Sequence, residues 1–231
     1  MKAMILAAGR GERMRPLTDD CPKPLLTVCG KPLLDYHLEA LSRAGFNEVV
    51  INIAWLGVQI LSHCRSRDYG LHLHFSDEGT TALETGGGIR HALPLLGDDL
   101  FAVVNGDIHT DYPFERLQDA ARLLQPSDQA YLVLVPNPTH RLQGDFDYAS
   151  GRLQVPGAER LTFSGIGLYR PSLFARQPDR AFPLAPLLRE AIAGGRVGGE
   201  RYDGHWSDVG TPERLAALES ALGCARAEAR S

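Results

Sequence analysis

The residues whose types and spacing most clearly suggest a chemical function lie in the first 25 positions of the chain. Ala8 to Pro16 reads AGRGERMRP and follows a short apolar run. A glycine-rich turn at the end of a strand presents backbone N–H groups to an anion, and small residues let that anion approach closely. Such a turn can also be purely structural. The nearby cations Arg13 and Lys23, the latter between two prolines, favour binding of a polyphosphate.

Two familiar phosphate-binding motifs do not account for this loop. A dinucleotide fingerprint would need a third glycine where Met14 stands, and the chain has no GxxxxGK[ST] sequence. Gly30-Lys31-Pro32 resembles only the end of that second motif. A nicotinamide-dependent dehydrogenase is therefore disfavoured as an alternative.

Two aspartates far apart in the sequence indicate a cation site. Asp107 follows the apolar run Phe101–Asn105, and Asp208 lies in the segment HWSDVGT. Carboxylates just beyond the carboxyl ends of strands occupy the edge where open α/β sheets bind ligands. Together with substrate phosphates they would suit Mg²⁺. Each aspartate could instead cap a turn, and the sequence does not show that the two meet.

A second glycine-rich segment, Leu83 to Ile89, reads LETGGGI. Three glycines at the start of a helix would expose backbone amides and leave a flat surface for a nucleobase or a phosphate. A tight turn is the simpler interpretation. No Ser–His–Asp or Cys–His arrangement is evident, which disfavours a covalent mechanism.

The elements that must position these residues alternate regularly through the first half of the chain. Hydrophobic patterning predicts strands at 2–8, 48–53, 71–75, 101–105 and 130–135, and helices at 32–45, 57–67, 86–93 and 113–124. Strands that alternate with helices predict a parallel sheet covered by helices.

The pattern changes after Pro136. A hairpin is predicted from Gly144–Tyr148 and Arg152–Val155, followed by a strand at 162–169 and helices at 183–193 and 211–222. The pairs Gly194-Gly195 and Gly198-Gly199 are predicted to be turns. The simplest architecture is one α/β domain with a β-rich insertion in its second half.

Composition narrows the class of protein. The 231 residues are 44% hydrophobic and carry 24 Lys plus Arg against 28 Asp plus Glu, so the net charge is −4. This balance disfavours a generic nucleic-acid binder, and no apolar run approaches the ~20 residues of a membrane span. The four cysteines form no CxxC pair, so we expect free thiols in a cytoplasmic protein that needs no disulfide.

In combination these segments resemble the sugar-1-phosphate nucleotidyltransferase family. The resemblance rests on four motifs, which occur in the family's order and span nearly the whole chain: the loop Ala8–Thr18, Pro22–Leu25, Gly106-Asp107 and Trp206–Thr211. It implies the nucleotide-diphospho-sugar transferase fold, a three-layer, mostly parallel, Rossmann-like sheet with a small β-rich sugar-binding insertion. It also implies a single domain over residues 1–231, with a nucleotide-binding part at about 1–135 and a sugar-binding part at about 136–231.

The resemblance also implies roles for individual residues. The expected catalytic residues are Arg13, Lys23 and Asp107, and the expected ligands of Mg²⁺ are Asp107 and Asp208. The nucleotide would contact Ala8, Gly9, Gly11, Glu12, Arg13, Lys23, Thr85, Gly86 and Gly87, and the sugar phosphate would contact Asn105, Gly144 and Asp145. A glutamate that many members use to bind the sugar has no clear counterpart here.

The resemblance further implies the reaction. An oxygen of a sugar 1-phosphate would attack the α-phosphorus of a nucleoside triphosphate and release pyrophosphate. Within the family, the short chain and the segments around Gly144 and Ser164 most resemble members that use UTP and N-acetylmuramic acid 1-phosphate, a pair used in peptidoglycan recycling. GTP with mannose 1-phosphate is the alternative, and a non-catalytic nucleotide-sugar sensor is a distant one. We expect a monomer, because nothing after Asp208 leaves room for the trimerising β-helix of larger relatives.

Overall fold

The computed structural model describes residues 1–154 and 159–224. Its strands are β1 Ala3–Leu6, β2 Thr27–Val28, β3 Lys31–Pro32, β4 Glu48–Ile53, β5 His72–Asp77, β6 Phe101–Asn105, β7 Ile108–Thr110, β8 Ala130–Val135, β9 Phe146–Ala149, β10 Arg152–Gln154, β11 Glu159–Tyr169, β12 Val197–Arg201 and β13 Trp206–Asp208. Its helices are α1 Leu33–Arg43, α2 Gly57–Arg65, α3 Glu84–Leu96, α4 Glu115–Leu123, α5 Leu184–Ala193 and α6 Pro212–Ala221. Val155, the last residue of the predicted hairpin, lies outside the described residues.

A nine-stranded sheet organises the molecule, in the order β5-β4-β1-β6-β11-β8-β12-β10-β9. Strands β5, β4, β1 and β6 run parallel, β11 runs antiparallel to both β6 and β8, and β12 runs parallel to β8. The first residues of β11 also pair with β9, so the insertion curls back onto the sheet. The predicted mostly parallel sheet with a β-rich insertion is confirmed.

Alternation along the strands explains why helices cover both faces. In β1, Ala3 and Ile5 pack on one face with α1, α2 and α4, whereas Met4 packs on the other face with α3 and α5. Successive side chains of a strand point to opposite faces, so a continuous apolar run is buried on both sides. A third cluster places α6 against Met14 and Val28, beside the glycine loop.

The prediction of a turn at Gly198-Gly199 is wrong, because both glycines lie inside β12. A Cβ atom on Gly199 would lie 2.5 Å from Leu153 Cδ1 and 2.8 Å from the carbonyl oxygen of Leu132. Glycine is therefore needed here for the close approach of neighbouring strands, rather than for a change of chain direction.

The expectation of four free thiols is also wrong. Cys29, after β2, is paired in a disulfide with Cys224, just beyond α6, with Cα atoms 5.4 Å apart. The two residues are 195 positions apart, so no sequence spacing signals the pairing. Cys21 and Cys64 are free, and Cys64 is buried. Burial raises the pKa of the Cys64 thiol to about 12.

Candidate active site at the carboxyl edge of the sheet

The glycine loop leaves the carboxyl end of β1 and folds back on itself. Gly11 has a φ of +68°, a left-handed conformation that glycine adopts at little cost. A Cβ atom there would lie 3.0 Å from Thr18 Cγ2 and 3.2 Å from Lys23 Cβ. The Thr18 hydroxyl donates a hydrogen bond to the Gly11 carbonyl over 2.8 Å. The position therefore requires glycine for both its backbone conformation and its packing.

Lys23 and Asp107 meet across this loop, although 84 residues separate them. The Lys23 Nζ atom donates to Asp107 Oδ2 over 2.6 Å, and the lysine side chain is only 10% exposed. Lys23 begins a short 3₁₀ helix, Lys23–Leu25, and Pro22 and Pro24 restrict the backbone on either side of it. The site therefore contains a largely buried ammonium in direct contact with a carboxylate.

Gly106 brings Asp107 close to the loop. Its backbone N–H donates to the Leu6 carbonyl over 2.9 Å, and a Cβ atom on it would lie 2.6 Å from that same oxygen. The end of β6 therefore packs directly against the end of β1. Any larger residue at 106 would push Asp107 away from Lys23.

Strand pairing brings the backbone of Asp208 close to that of Asp107, but the Asp208 carboxylate contacts other side chains. Strands β7 and β13 pair antiparallel, and the Val209 N–H donates to the Asp107 carbonyl over 2.8 Å. The Asp208 side chain forms an ion pair with Arg214, and its other carboxylate oxygen lies 3.0 Å from His140 Nε2. Each predicted metal ligand is thus neutralised by a cation of the chain itself. Within residues 1–154 and 159–224, no three His, Cys, Asp or Glu side chains are grouped to hold a metal.

A buried histidine supports the backbone that follows Asp107. His37, 2% exposed, donates its Nε2–H to the Ile108 carbonyl over 2.9 Å. Burial lowers the pKa of His37 to about 4, and the hydrogen bond to Ile108 opposes that shift only in part. The imidazole is therefore neutral at pH 7, and α1 carries it to the start of β7.

These elements enclose a cavity of about 430 Å³ at the carboxyl ends of β1, β4 and β6. Among the residues predicted for the site, those that line it are Ala8, Gly9, Gly11, Glu12, Arg13, Lys23, Thr85, Asn105 and Asp107. Arg13 is exposed at its rim. The cavity therefore brings together most of the predicted nucleotide-binding residues, including both ends of the Lys23–Asp107 pair.

Gly86 and Gly87 are absent from that lining, and their amides are already used. Both N–H groups donate to the Phe182 carbonyl, over 3.0 and 3.1 Å. A Cβ atom on Gly87 would lie 2.5 Å from the Arg180 carbonyl, so the segment before α5 needs small residues here. The structure gives these glycines a packing role, and their contact with the nucleotide stays a prediction.

The predicted sugar-binding residues lie beside the cavity in different ways. Asn105 lines it, and its side chain lies across Gly165, where a Cβ atom would be 2.6 Å from Asn105 Cγ. Gly144 and Asp145 do not line it. Asp145 accepts the Phe163 N–H over 3.0 Å with one carboxylate oxygen and pairs with Arg141 through the other. Asp145 therefore ties the insertion to β11.

Two polar residues of the cavity were not anticipated from the sequence. Asn52, near the end of β4, accepts the Ala7 N–H over 2.7 Å and donates to Glu78 over 2.6 Å. Glu78 follows β5 and also accepts the Leu83 N–H over 2.6 Å. The signal that indicated Asp107, a polar residue at the carboxyl end of a parallel strand, applies equally to this pair.

Comparison with known proteins agrees with this geometry. A model of the nucleotidyl transferase family matches residues 2–146, which include the glycine loop, Lys23 and Asp107. The chain belongs to this family. The match also covers α3 and every residue that lines the cavity except Gly210.

Similar proteins cover almost the whole chain. It is 50% identical to N-acetylmuramate alpha-1-phosphate uridylyltransferase of Neisseria meningitidis, over 96% of this chain and 99% of that protein. It is 37% identical to the protein of the same name from Caulobacter vibrioides, over 95% of this chain and 96% of that one. It is 29% identical to the mannose-1-phosphate guanylyltransferase catalytic subunit beta of Xenopus tropicalis, over 92% of this chain and 62% of that protein. The crystal structure of HddC from Yersinia pseudotuberculosis shares the fold, with a TM-score of 0.76 and 19% identity over 96% of this chain and 99% of that one.

Proposed function

We propose that this member of the family joins UTP to N-acetylmuramic acid 1-phosphate and releases pyrophosphate, a reaction of peptidoglycan recycling. The observation that carries the proposal is the Lys23–Asp107 pair, held at 2.6 Å in the cavity of the glycine loop. The 50% identity to a protein named for that activity supports the choice of substrates.

The residues of the cavity suit an in-line transfer that needs no general base. A phosphate monoester is already a nucleophile at pH 7, so catalysis consists mainly of positioning and charge neutralisation. The amides of Gly9 and Gly11, with Arg13 at the rim, would bind the β- and γ-phosphates. Lys23 would neutralise charge between the α-phosphate and the incoming sugar phosphate.

The carboxylates fit a hard cation. Asp107 directly precedes β7, Asp208 is the last residue of its partner strand β13, and both side chains offer only oxygen ligands. These two aspartates would hold Mg²⁺, which when bound supplies charge neutralisation and a template for the two phosphates. The small number of protein ligands suits a cation whose shell is completed by substrate phosphates and water.

The remaining contacts divide the site into two parts. The base would lie against the Ala7–Gly9 backbone and the start of α3 at Thr85, near Gly86 and Gly87. The sugar would lie beside Asn105, toward Gly144 and Asp145. Glu78 and Asn52 line the cavity beside this proposed position of the base, and Asn52 supports the backbone of Ala7.

We infer a single domain over residues 1–231, because one continuous sheet contains strands from both the nucleotide-binding part at 1–135 and the sugar-binding part at 136–231. No helix among the described residues has the length and apolar character needed to cross a membrane. A cytoplasmic monomer is our proposal for the working state. Light scattering coupled to size-exclusion chromatography would test the oligomeric part directly.

The substrates are tested by a pyrophosphate-release screen of four nucleoside triphosphates against a panel of sugar 1-phosphates. We expect the highest kcat/KM for UTP with N-acetylmuramic acid 1-phosphate. N-acetylglucosamine 1-phosphate lacks the lactyl carboxylate and should react less efficiently, because groups that bind the carboxylate are then unpaired. A higher kcat/KM for GTP with mannose 1-phosphate would reject the proposed substrates. It would not affect the proposed phosphate contacts of Gly9, Gly11, Arg13 and Lys23.

A further inference from the structure

A second cavity, of about 400 Å³, lies at the opposite edge of the sheet from the active site. Gln129 directly precedes β8, Arg196 directly precedes β12, and Ser172 follows the end of the antiparallel strand β11. All three line this cavity. Strand β8 runs parallel to β6, because β11 is antiparallel to both. The cavity therefore lies at the amino ends of the parallel strands and is separate from the glycine loop.

Two arginines supply the charge of this cavity. Arg176 and Arg196 line it, and neither forms an ion pair with a residue in the described part of the chain. Arg196 Nε is buried and has no hydrogen-bond partner there. A buried donor without a partner is costly, so an N–H in this state indicates a missing acceptor.

Both backbone polar groups of Arg196 are hydrogen-bonded, and its side chain passes close to Gly194. Its N–H donates to the Ala191 carbonyl over 3.0 Å, and its carbonyl accepts the Gln129 N–H over 2.8 Å. A Cβ atom on Gly194 would lie 2.8 Å from Arg196 Nε, so the glycine provides the space in which the side chain lies. The backbone of Arg196 is thus fixed on both sides, and its side chain packs over Gly194.

The other walls of the cavity suit a small amphipathic ligand. Ser172 and Gln177 add hydroxyl and amide groups, and Leu173 and Leu187 add apolar surface. Glu190 contributes the one carboxylate among the residues that line the cavity. The volume is within the range of small-molecule sites, about 300–1,000 Å³.

We propose that this cavity binds a small molecule that carries a phosphate group, with Arg176 and Arg196 as the phosphate ligands. Guanidinium groups bind phosphate through paired N–H donors, and phosphate oxygens supply the acceptors that Arg196 lacks. The apolar wall accommodates the rest of a phosphate ester, whereas inorganic phosphate would use only the arginine end. The site is independent of the substrates proposed above.

The test measures phosphate binding by calorimetry in a protein whose first cavity is weakened by Arg13→Ala. Inorganic phosphate and a nucleoside monophosphate serve as separate probes. In this background Arg176→Gln and Arg196→Gln should each weaken binding by about tenfold or more, because each removes a charged hydrogen-bond donor. Arg189→Gln is the matched control, since Arg189 is an exposed arginine of α5 outside the cavity and its loss should change nothing.

Arg176 is exposed, so its replacement keeps the proposal testable even if Arg196→Gln impairs folding. Tighter binding of the monophosphate than of phosphate, lost in the same variants, identifies a phosphate ester as the ligand, and equal affinity identifies the phosphate group alone. Absence of millimolar binding of both probes in the Arg13→Ala background would overturn the proposal. Equal affinities in Arg176→Gln, Arg196→Gln and Arg189→Gln would overturn it as well.

Discussion

Lys23→Met removes the ammonium of the active site and keeps most of the volume of the side chain. In the native chain this group lies 2.6 Å from Asp107 Oδ2 with a side chain 10% exposed. Methionine leaves Asp107 without its cation and leaves the cavity without the charge closest to the proposed site of phosphoryl transfer. We expect the loss to affect turnover far more than stability.

The structure sets the size of both effects. The Asp107 side chain is 38% exposed and can recover hydration, so the pair contributes at most about 1 kcal/mol to folding. Loss of a preorganised donor that acts on developing charge typically costs about 3–4 kcal/mol in the transition state, or roughly 10²–10³ in kcat. Pyrophosphate release at saturating substrate concentrations measures kcat. Thermal unfolding of the same samples measures the change in stability.

Lys31→Met is the matched control. Lys31 forms a similar lysine–carboxylate pair with Glu39, but it lies on β3 outside the cavity. Its replacement should leave kcat within about twofold and change stability by a comparable small amount. A Lys23→Met enzyme with unchanged kcat and only a raised KM would refute the assigned role, because Lys23 would then act equally on ground and transition states.

Three further predictions concern the metal site, pH and packing. Asp107→Asn and Asp208→Asn should each lower turnover by on the order of 10²-fold, because each aspartate is a proposed ligand of Mg²⁺. EDTA should abolish activity until Mg²⁺ is added. Full activity in excess chelator would contradict this assignment. His37 has a pKa of about 4 when folded against an ordinary 6.5, so its contribution to stability is complete above pH 6.5 and is lost as the pH falls toward 4, by about 3 kcal/mol. Urea unfolding at pH 7 and pH 4 should show a smaller difference in His37→Gln than in wild type or in the exposed control His72→Gln, and equal differences would reject the assignment. Gly199→Ala should cost about 1–3 kcal/mol in the free energy of unfolding through overpacking, and a neutral result would mean that β12 shifts freely.

Much of the fold could be predicted because its signals are local. Strands β4, β6 and β8 occupy the predicted ranges 48–53, 101–105 and 130–135, each an apolar run with few polar interruptions. The missed strands have no such run. Strands β7 and β13 are three residues each and pair only with one another, and β12 begins with a valine followed by two glycines.

The glycines at the start of α3 show that a local motif does not determine which acceptor an amide meets. A run of glycines at a helix start indicates exposed amides, but the Gly86 and Gly87 amides donate to the Phe182 carbonyl, nearly 100 residues away. Which acceptor an amide meets depends on the path of a remote segment. Likewise, Asn52 and Glu78 are ordinary strand-end residues until the parallel order of β1, β4 and β5 joins them at one cavity.

The sequence by itself determined the types of chemistry and the elements that carry them: a glycine turn after a strand, a proline-flanked lysine, and aspartates at strand ends. These are properties of neighbouring residues, set by backbone preference and hydrophobic periodicity. Only the tertiary structure decided which of these groups meet. Strand order and register bring Lys23 to Asp107 across 84 positions, whereas the Asp208 carboxylate turns to Arg214 and His140. Contacts between distant residues depend on how whole elements pack, and no local pattern records that packing.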